Sequence, residues 1–355
     1  MATKIIQCKL EPQGYYFFGG EKRFNGNDNE VNYYAVSNLF PQQTSLLGLL
    51  RQLVMEKNNG SKNEIGTSSF LVHEAHTKTM DFGAIKRLSP LFLSKSNVLL
   101  FPQAKEYSDD KQIPITHIKG TAFWNGQKRE NIPLLENENY YKNEIDKQWI
   151  SPDRAEKYKE DAIFKDTIRD GIIKNKGDDD TNAYYKQQLW TLNKGFAFVF
   201  FVEIDETQIP DNQTINLGGE RSTFRLTISE ASEENPLSNF EAIAKKYYGE
   251  SAEQERFIIV SPTFPTSDFM DDTDFAVMEY IDFRNLETNI NTENYNQVGK
   301  DIKKGAVRSE KKQLIQSGAI LFPKDAEALA KALNKAEGFK QIGYNFYFKN
   351  TKNNA

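Results

Sequence analysis

Hydrophobic and polar residues alternate close to the start of the chain. Between Lys4 and Leu10, the side chains of Ile6, Cys8 and Leu10 fall on one side. This two-residue period is typical of a β-strand with one buried face. A continuous apolar run from Phe196 to Val202 instead predicts a strand that is buried on both faces, as in the middle of a sheet.

A helix is predicted after the first strand. Leu and Val residues recur at helical spacing between positions 46 and 54, and Thr44 or Ser45 is a candidate N-cap. The helix is expected to run to Gly60. Gly48 lies inside it, where glycine costs about 1 kcal/mol relative to alanine, so we predict that something approaches the backbone closely at that turn.

The segments between these elements are less regular. Short apolar runs from Phe82 to Phe101 predict strands and turns, and Leu217 to Ile228 predicts a glycine turn that leads into a strand. Residues 131–188 are strongly polar and are interpreted as a long insertion. Within it we expect helical stretches between Ser151 and Ile173 and a loop from Gly177 to Asn182.

The second half of the chain repeats this plan in outline. Its predicted elements are strands at Arg256–Val260, Ala276–Phe283 and Ala319–Phe322, a helix at Lys324–Lys335 closed by Gly338, and a last strand at Gly343–Lys349. Each half ends with a glycine turn that leads into a strand. The recurrence predicts an α+β protein of two tandem ferredoxin-like (βαββαβ) domains. We expect residues 1–231 and 232–355 to form them.

Composition narrows the class of protein. A hydrophobic fraction of 38% supports a folded core, and the longest apolar run is far too short for a membrane helix. We therefore expect a cytoplasmic protein without a targeting segment or a membrane partner. The single cysteine, Cys8, excludes an internal disulfide and a cysteine-based zinc site, and its place in the first strand predicts a core position.

Charge is segregated along the chain. The net charge of −5 argues against a free-standing nucleic-acid binder. However, residues 85–129 hold eight cations and three anions, whereas residues 251–290 hold nine acids and two arginines. Residues 300–312 add six more cations against two acids. Separate basic and acidic faces are therefore predicted.

Residues that could support catalysis or bind a metal are few. His73, His76 and His117 are candidates for metal-independent RNA cleavage, although a zinc site would lack its remaining ligands. The acidic runs at 178–180 and 271–274 do not match a calcium loop. We predict no catalytic residue, no metal and no cofactor.

Glycine turns beside cations are a stronger signal, because glycine lets backbone N–H groups converge on a phosphate. One turn holds Gly218 and Gly219, and Arg221 and Arg225 follow it. The other holds Gly19 and Gly20, followed by Lys22 and Arg23 and preceded by four aromatic rings, those of Tyr15, Tyr16, Phe17 and Phe18. Bases stack on such rings, so both turns favour RNA binding.

These motifs resemble a known family. The string YYFFGGEKRFN, followed by FPQQTSLLGLLR, is similar to the start of the large RAMP subunit of the type III-B CRISPR Cmr complex. The matching positions are Pro41, Thr44, Ser45, Gly48 and Arg51. The resemblance continues through LLFPQA, RDGIIKNKGDDDTNAYYKQQLW, LGGERS and KKGAVRSEKKQLIQSGAILF, and so covers nearly the whole chain.

The resemblance implies a non-catalytic subunit that seats the repeat-derived 5′ tag of the CRISPR guide RNA (crRNA). Its protein partners would be the large polymerase-like signalling subunit and the repeating backbone RAMP subunit. Two alternatives stay open: a metal-independent guide-RNA processing endonuclease of the same superfamily, and the equivalent subunit of a Csm-type complex.

Charge, glycine turns and resemblance together predict the residues that contact RNA. The side chains are Tyr15, Phe17, Lys22, Arg23, Arg51, Lys86, Arg87, His117, Lys119, Arg221, Arg225, Lys303, Lys304, Arg308, Lys311 and Lys312. The glycine positions are Gly19, Gly20, Gly48, Gly218, Gly219, Gly318 and Gly343.

Overall fold

The structure, a computed structural model, describes most of the chain. The described residues are 2–20, 22–27, 30–66, 70–105, 107–108, 111–112, 115–124, 127–135, 147–173, 183–249, 251–252, 255–266, 269–287 and 307–352. Side chains are described for all of these except 22–27, 30–33, 107–135, 172–173, 183–184, 251–252, 286–287, 307–308 and 352.

Strands dominate the described residues. In chain order they are β1 Thr3–Pro12, β2 Lys22–Asn27, β3 Glu30–Val36, β4 Ile85–Leu88, β5 Phe92–Lys95, β6 Val98–Pro102, β7 Tyr107–Ser108, β8 Lys111–Gln112, β9 Ile115–Trp124, β10 Gln127–Leu135, β11 Gln148–Ile150, β12 Lys157–Lys159, β13 Phe164–Ile173, β14 Ala183–Leu192, β15 Phe196–Asp205, β16 Gln213–Asn216, β17 Thr223–Glu230, β18 Ser251–Ala252, β19 Arg256–Ile259, β20 Thr273–Val277, β21 Tyr280–Phe283, β22 Leu286–Glu287, β23 Val307–Arg308, β24 Lys312–Ile315, β25 Ile320–Pro323 and β26 Tyr347–Lys352. The helices are α1 Gln43–Lys57, α2 Val72–Ala75, α3 Glu160–Ile163, α4 Phe240–Tyr248, α5 Ala326–Asn334 and α6 Glu337–Gln341. The chain is therefore of the mixed α+β class.

The largest sheet is built around β15. Its strand order is β12-β11-β6-β5-β15-β1-β17-β16, and β4 also pairs with β15. Nearly every residue of β15 is buried, as its apolar sequence predicts, because it has neighbours on both edges and a core on both faces. β1 runs antiparallel beside it, with Cys8 opposite Phe200. Ile6, Cys8 and Leu10 are all buried, which confirms the predicted alternation.

The second sheet has the order β18-β26-β19-β25-β20. Its β25 and β26 are connected through α5 and α6, and both run antiparallel to β19, which lies between them. The large sheet contains a similar arrangement, in which β1 and β5 are connected through a crossover that contains α1 and flank β15. Each sheet thus holds two strands that a helical crossover joins around a third.

A four-stranded sheet has the order β13-β14-β3-β2. β13 and the first part of β14 come from the predicted insertion, whereas β2 and β3 come from the start of the chain. The helical stretches expected from Ser151 to Ile173 are wrong, because only the four residues of α3 form an α-helix there. β13 instead pairs with β14 over ten residue pairs, and such tertiary pairing overrides local preference. β11 pairs with β6, so this short strand belongs to the largest sheet. The loop predicted at 177–182 lies outside the described residues.

Both halves share a hydrophobic core. Phe339, Ile342 and Tyr344 of the second half pack in one cluster with Leu46 and Leu50 of α1. The hydroxyl oxygen of Tyr344 also accepts hydrogen bonds from the first N–H groups of that helix, including that of Gln43 at 3.2 Å. The helix itself is confirmed, but it begins at Gln43 and ends at Lys57, before the predicted Gly60, and no side-chain cap comes from its own N-cap residue, Gln42. Thr44 and Ser45 are therefore wrong as caps.

Three further details of the second half differ from expectation. The strand predicted at 276–283 is divided into β20 and β21. Gly338 does not end the preceding helix but lies within α6. The last strand begins at Tyr347 and not at Gly343, because Gly343 and Asn345 adopt left-handed backbone angles that a strand does not accommodate.

Candidate nucleic-acid interface

Two glycine-containing segments that are distant in sequence lie against each other. We call residues 15–20 the aromatic segment and residues 217–222 the glycine turn. The N–H of Gly219 donates to the carbonyl oxygen of Phe17 at 2.7 Å, and the N–H of Phe17 donates to Ser222 Oγ at 2.8 Å. The two turns predicted separately from the sequence therefore form a single candidate site.

The glycine turn is shaped by left-handed backbone angles. Gly218 has φ of 92°, and a Cβ there would lie 2.5 Å from the carbonyl oxygen of Phe17. A larger residue would push the aromatic segment away. Glu220 and Arg221 also have positive φ angles, of 55° and 57°. The carbonyl oxygen of Gly219 accepts hydrogen bonds from both the N–H and the hydroxyl of Ser222, at 3.0 and 2.6 Å.

The rings of the aromatic segment differ in burial, and Phe17 and Phe18 are both half-buried. Tyr16 is fully buried, its hydroxyl donates to the carbonyl oxygen of Leu39 at 2.9 Å, and burial raises its pKa well above the usual value. Phe18 stacks on Phe224, with 5.7 Å between ring centroids. These two rings hold the segment to the core and are not free for bases, contrary to expectation. Tyr15 points outward and is 39% exposed.

Two arginines and one glutamate lie in or directly after the turn. Arg221 and Arg225 are both exposed. Glu220, which directly precedes Arg221, accepts a hydrogen bond from the side chain of Gln187 at 3.2 Å. This bond connects the turn to β14. At the other end of the aromatic segment, Gly20 passes so close to β3 that a Cβ would overlap the carbonyl oxygen of Val36.

Two further predicted cations begin β2. Lys22 and Arg23 follow the aromatic segment after Glu21 and pair with Ala35 and Tyr34 of β3. Their backbone therefore lies in the four-stranded sheet that also contains β14, while their side chains are outside the described set. Gly19, which precedes them, has a positive φ of 63°.

Gly48 and Arg51 lie one turn apart on α1, and only Gly48 is exposed. Arg51 is only 8% exposed, its guanidinium lies 5.7 Å from the ring centroid of Phe82, and burial lowers its pKa to about 10 although Asp81 opposes this. It faces the interior of the molecule. Gly48 lies on the exposed side, and a Cβ there would meet nothing within 4 Å. The close approach predicted at Gly48 is therefore wrong within the described chain.

Several predicted RNA-contacting cations are engaged in ion pairs. Lys86 Nζ lies 3.0 Å from Asp205 Oδ2, and Arg87 pairs with Glu203. These pairs connect β4 to the neighbouring β15. In the second half, Lys311 Nζ lies 2.7 Å from Asp282, and Lys312 Nζ lies 2.9 Å from Glu310. All four cations are partly exposed, and pairs between exposed charges contribute only about 0–1 kcal/mol.

The remaining predicted residues are placed elsewhere. His117 and Lys119 belong to β9 and Arg308 to β23, with side chains outside the described set, and Lys303 and Lys304 are outside the described residues altogether. Gly318 and Gly343 are buried. A Cβ at Gly318 would lie 2.7 Å from the carbonyl oxygen of Gln103, and one at Gly343 would overlap that of Ser89. Both glycines connect the two halves of the chain.

The two histidines with described side chains, His73 and His76, lie in different surroundings. His76 packs edge-on against Phe264, with ring centroids 4.2 Å apart, and burial lowers its pKa, with smaller contributions from Lys312 and His73. His73 is exposed beside Glu74. Across the described part of the chain, no cluster of three His, Cys, Asp or Glu side chains is arranged to hold a metal. In the same residues, no helix is both long and apolar enough to cross a bilayer.

Ser222 and Ser37 are the residues that sequence reasoning missed. Ser222 joins the two segments, and Ser37 Oγ accepts a hydrogen bond from the N–H of Phe18 at 2.9 Å. A single serine has no pattern of its own in a sequence. Only its position at the end of the LGGERS motif could have indicated Ser222.

The family comparison decides the identity of the chain. A model of the family described as "CRISPR-associated protein (Cas_Cmr3)" matches residues 8–348. The chain belongs to the Cas_Cmr3 family. This confirms the resemblance to a Cmr subunit that the motifs predicted. No match was found among curated proteins.

Solved structures similar to this Cas_Cmr3 protein come from CRISPR complexes. A chain of the type III-B Cmr-beta complex bound to cognate target RNA aligns with a TM-score of 0.52 at 15% identity, covering 96% of both chains. A chain of the same complex with AMPPnP (state 1) gives 0.48 at 16% identity, covering 97% of this chain and 99% of that one. A chain of a type III-A Csm3-Csm4 subcomplex gives 0.35 at 10% identity, covering 89% and 92%. The first of these likenesses shows a shared fold.

Proposed function

We propose that the chain is a non-catalytic guide-RNA-binding subunit of a type III-B Cmr effector complex, and that it seats the repeat-derived 5′ tag. The observation that carries the proposal is the direct contact between the aromatic segment and the glycine turn in a member of the Cas_Cmr3 family. The contact combines a surface for base stacking with a surface for phosphate binding.

Each part of the site suits one part of a nucleotide. Tyr15 is the exposed ring of the aromatic segment, and base stacking on such a ring contributes about 1–3 kcal/mol. Arg221 lies in the glycine turn and Arg225 follows it, both exposed, and arginine pairs with phosphate through two parallel hydrogen bonds. Phosphate contacts would fix the position of the tag, and stacking would tolerate several base identities.

Protein partners are proposed for other surfaces. The acidic window at 251–290 would meet a protein and not RNA, since like charges repel phosphate. Asp271, Glu279 and Asp282 of this window are exposed. The large polymerase-like signalling subunit and the repeating backbone RAMP subunit are the partners that the family resemblance implies.

We also propose that each half is a ferredoxin-like domain, with the boundary near Ala231. The strand orders β17-β1-β15-β5 and β26-β19-β25-β20 support this. In both, the first and third strands in chain order are central and all neighbours are antiparallel, as in the split βαβ arrangement. The helix between the first two strands is present in the first half, and that between the last two in the second.

Binding of short RNAs by the full-length chain tests the proposal. Wild type should bind guide RNA with its natural 5′ tag more tightly than the same RNA with the tag deleted. Tyr15→Ala and the double variant Arg221→Ala/Arg225→Ala should both reduce this preference. Equal affinity for tagged and untagged RNA would contradict it. Metal-independent cleavage of repeat RNA, lost on replacing His73, His76 and His117 by alanine, would support the endonuclease instead.

A further inference from the structure

The hydroxyl of Ser222 connects the aromatic segment to the glycine turn. Ser222 is only 2% exposed. Its Oγ accepts a hydrogen bond from the N–H of Phe17 at 2.8 Å and donates one to the carbonyl oxygen of Gly219 at 2.6 Å. One side chain therefore closes the turn on itself and fastens it to the segment that carries Tyr15.

The residue before Ser222 depends on this closure. Arg221 and Glu220 both have left-handed backbone angles, which residues other than glycine hold only where their surroundings fix them. The fixed points are Ser222 on one side and the bond from Gly219 to Phe17 on the other. The exposed guanidinium of Arg221 thus projects from a turn that the buried hydroxyl of Ser222 helps to hold together with these backbone hydrogen bonds.

We infer that Ser222 is a positioning residue for guide RNA, which it does not itself contact. By holding the glycine turn against the aromatic segment, it fixes Arg221 where its phosphate contact and stacking on Tyr15 engage the same stretch of RNA. The inference rests on the proposed function. Preorganisation of this kind raises affinity because the loops need not be ordered on binding.

Ser37 provides a matched control. It is 3% exposed, and its Oγ accepts a hydrogen bond from the N–H of Phe18, the next amide of the aromatic segment. Ser37→Ala and Ser222→Ala each leave one N–H of that segment without its hydroxyl partner. Only Ser222→Ala also removes a hydrogen bond within the glycine turn, that to the carbonyl oxygen of Gly219. A difference between the variants therefore reports on Arg221 and not on general loosening of the segment.

The experiment measures binding of 5′-tagged guide RNA by the full-length chain over a series of salt concentrations. Arg221→Ala should weaken binding about tenfold and reduce the salt slope by about one unit, as loss of one phosphate contact does. Ser222→Ala should reproduce both effects within about threefold in affinity. Adding Arg221→Ala to Ser222→Ala should then change little, because the two act through one contact. Ser37→Ala should keep the wild-type salt slope.

Several results would overturn the inference. One is an unchanged salt slope in Ser222→Ala, and another is a full additional loss when the two substitutions are combined. If Ser222→Ala does not fold, Ser222→Cys carries the same test, because its thiol fills the site but is a much weaker donor and acceptor. If wild type shows no preference for tagged RNA, the proposed function fails, which is a separate outcome.

Discussion

At the scale of single residues, one hydroxyl from the second half stabilises a helix of the first. Tyr344 accepts the N–H of Gln43 at the start of α1, where the helix lacks a side-chain cap of its own. Tyr344→Phe should therefore lower the free energy of unfolding by about 1–2 kcal/mol, the usual contribution of an N-cap. Chemical denaturation measures the change.

The matched control is Tyr347→Phe. The hydroxyl of Tyr347 accepts a bond from the side chain of Asn334 at an exposed position, so its loss should change stability by no more than about 0.5 kcal/mol. Equal effects of the two substitutions would show that the hydroxyl of Tyr344 does not cap the helix.

His76 should make stability depend on pH. Burial lowers its pKa below 6.5 in the folded chain, so the unfolded chain takes up a proton more readily as the pH falls. Stability is therefore complete above about pH 6.5 and declines as the pH falls through the lowered pKa. His76→Phe keeps a ring against Phe264 and removes this component. The stability difference between wild type and variant should change from pH 8 to pH 5, and a constant difference would contradict the assignment.

At this scale the sequence predicts which residues belong to the site better than it predicts which residues they contact. The glycine turns and Tyr15 were identified from composition, but the sequence could not show that Tyr16 and Phe18 are held in the core by Phe224 and Leu39. Arg51 was identified by motif, and its burial follows from the inner face of α1. Contacts between distant segments, such as that of Ser222 with Phe17, have no local signal.

At the scale of elements, Gly48 in α1 is a position where alanine should stabilise the helix relative to glycine. The helix is exposed there and a Cβ would meet nothing within 4 Å. Gly48→Ala should raise the unfolding free energy of the free chain by about 1 kcal/mol, the difference in helix propensity. Thermal or chemical unfolding of the purified chain measures it.

Gly338 in α6 is the matched control. It is also a helical glycine, but its Cβ would lie 2.7 Å from the Cα of Ala75 in α2. Gly338→Ala should therefore destabilise the chain. If Gly48→Ala also destabilises the chain, another part of the chain must lie against the exposed side of α1 in solution. If Gly48→Ala stabilises the chain but weakens RNA binding, an external molecule occupies the space beside Gly48.

Elements with strong periodicity were predicted well, and those defined by pairing were not. β1, α1 and β15 have clear hydrophobic patterns because the core covers one face of β1 and α1 and both faces of β15. β13 is polar and mostly exposed, and its strand conformation depends on β14. Its sequence was consequently interpreted as helical.

At the scale of the whole molecule, the glycines of the second half hold the two halves together. Gly318, Gly338 and Gly343 each pass so close to the first half that a Cβ would meet Gln103, Ala75 or Ser89. From the sequence, these glycines were interpreted as parts of loops that a ligand could approach, because glycine permits close approach of any group. Only the fold shows whether the approaching group is RNA or a carbonyl oxygen of the same chain.

This close packing predicts that the halves unfold together. All three tryptophans, Trp124, Trp149 and Trp190, lie in the first half, so their fluorescence reports on that half alone, whereas far-UV circular dichroism reports on both. Gly343→Ala lies in the second half, where φ is 93° and a Cβ would overlap the carbonyl oxygen of Ser89. Because one core spans both halves, it should lower the transition midpoint equally by both probes, as a two-state change requires.

Gly249→Ala separates this coupling from backbone strain. Gly249 has a similar φ of 81° with ψ of 172°, angles that are nearly restricted to glycine, but a Cβ there would meet nothing within 4 Å, so alanine should cost backbone strain alone, about 1–3 kcal/mol. Gly343→Ala adds overlap with the first half and should cost about 3 kcal/mol or more. A circular dichroism transition that falls while the tryptophan transition stays in place would show that the halves unfold independently. We expect the two transitions to coincide in wild type and in both variants, with the larger shift in Gly343→Ala. The reason is that the contact that Gly343 permits joins the two halves and does not lie within one of them.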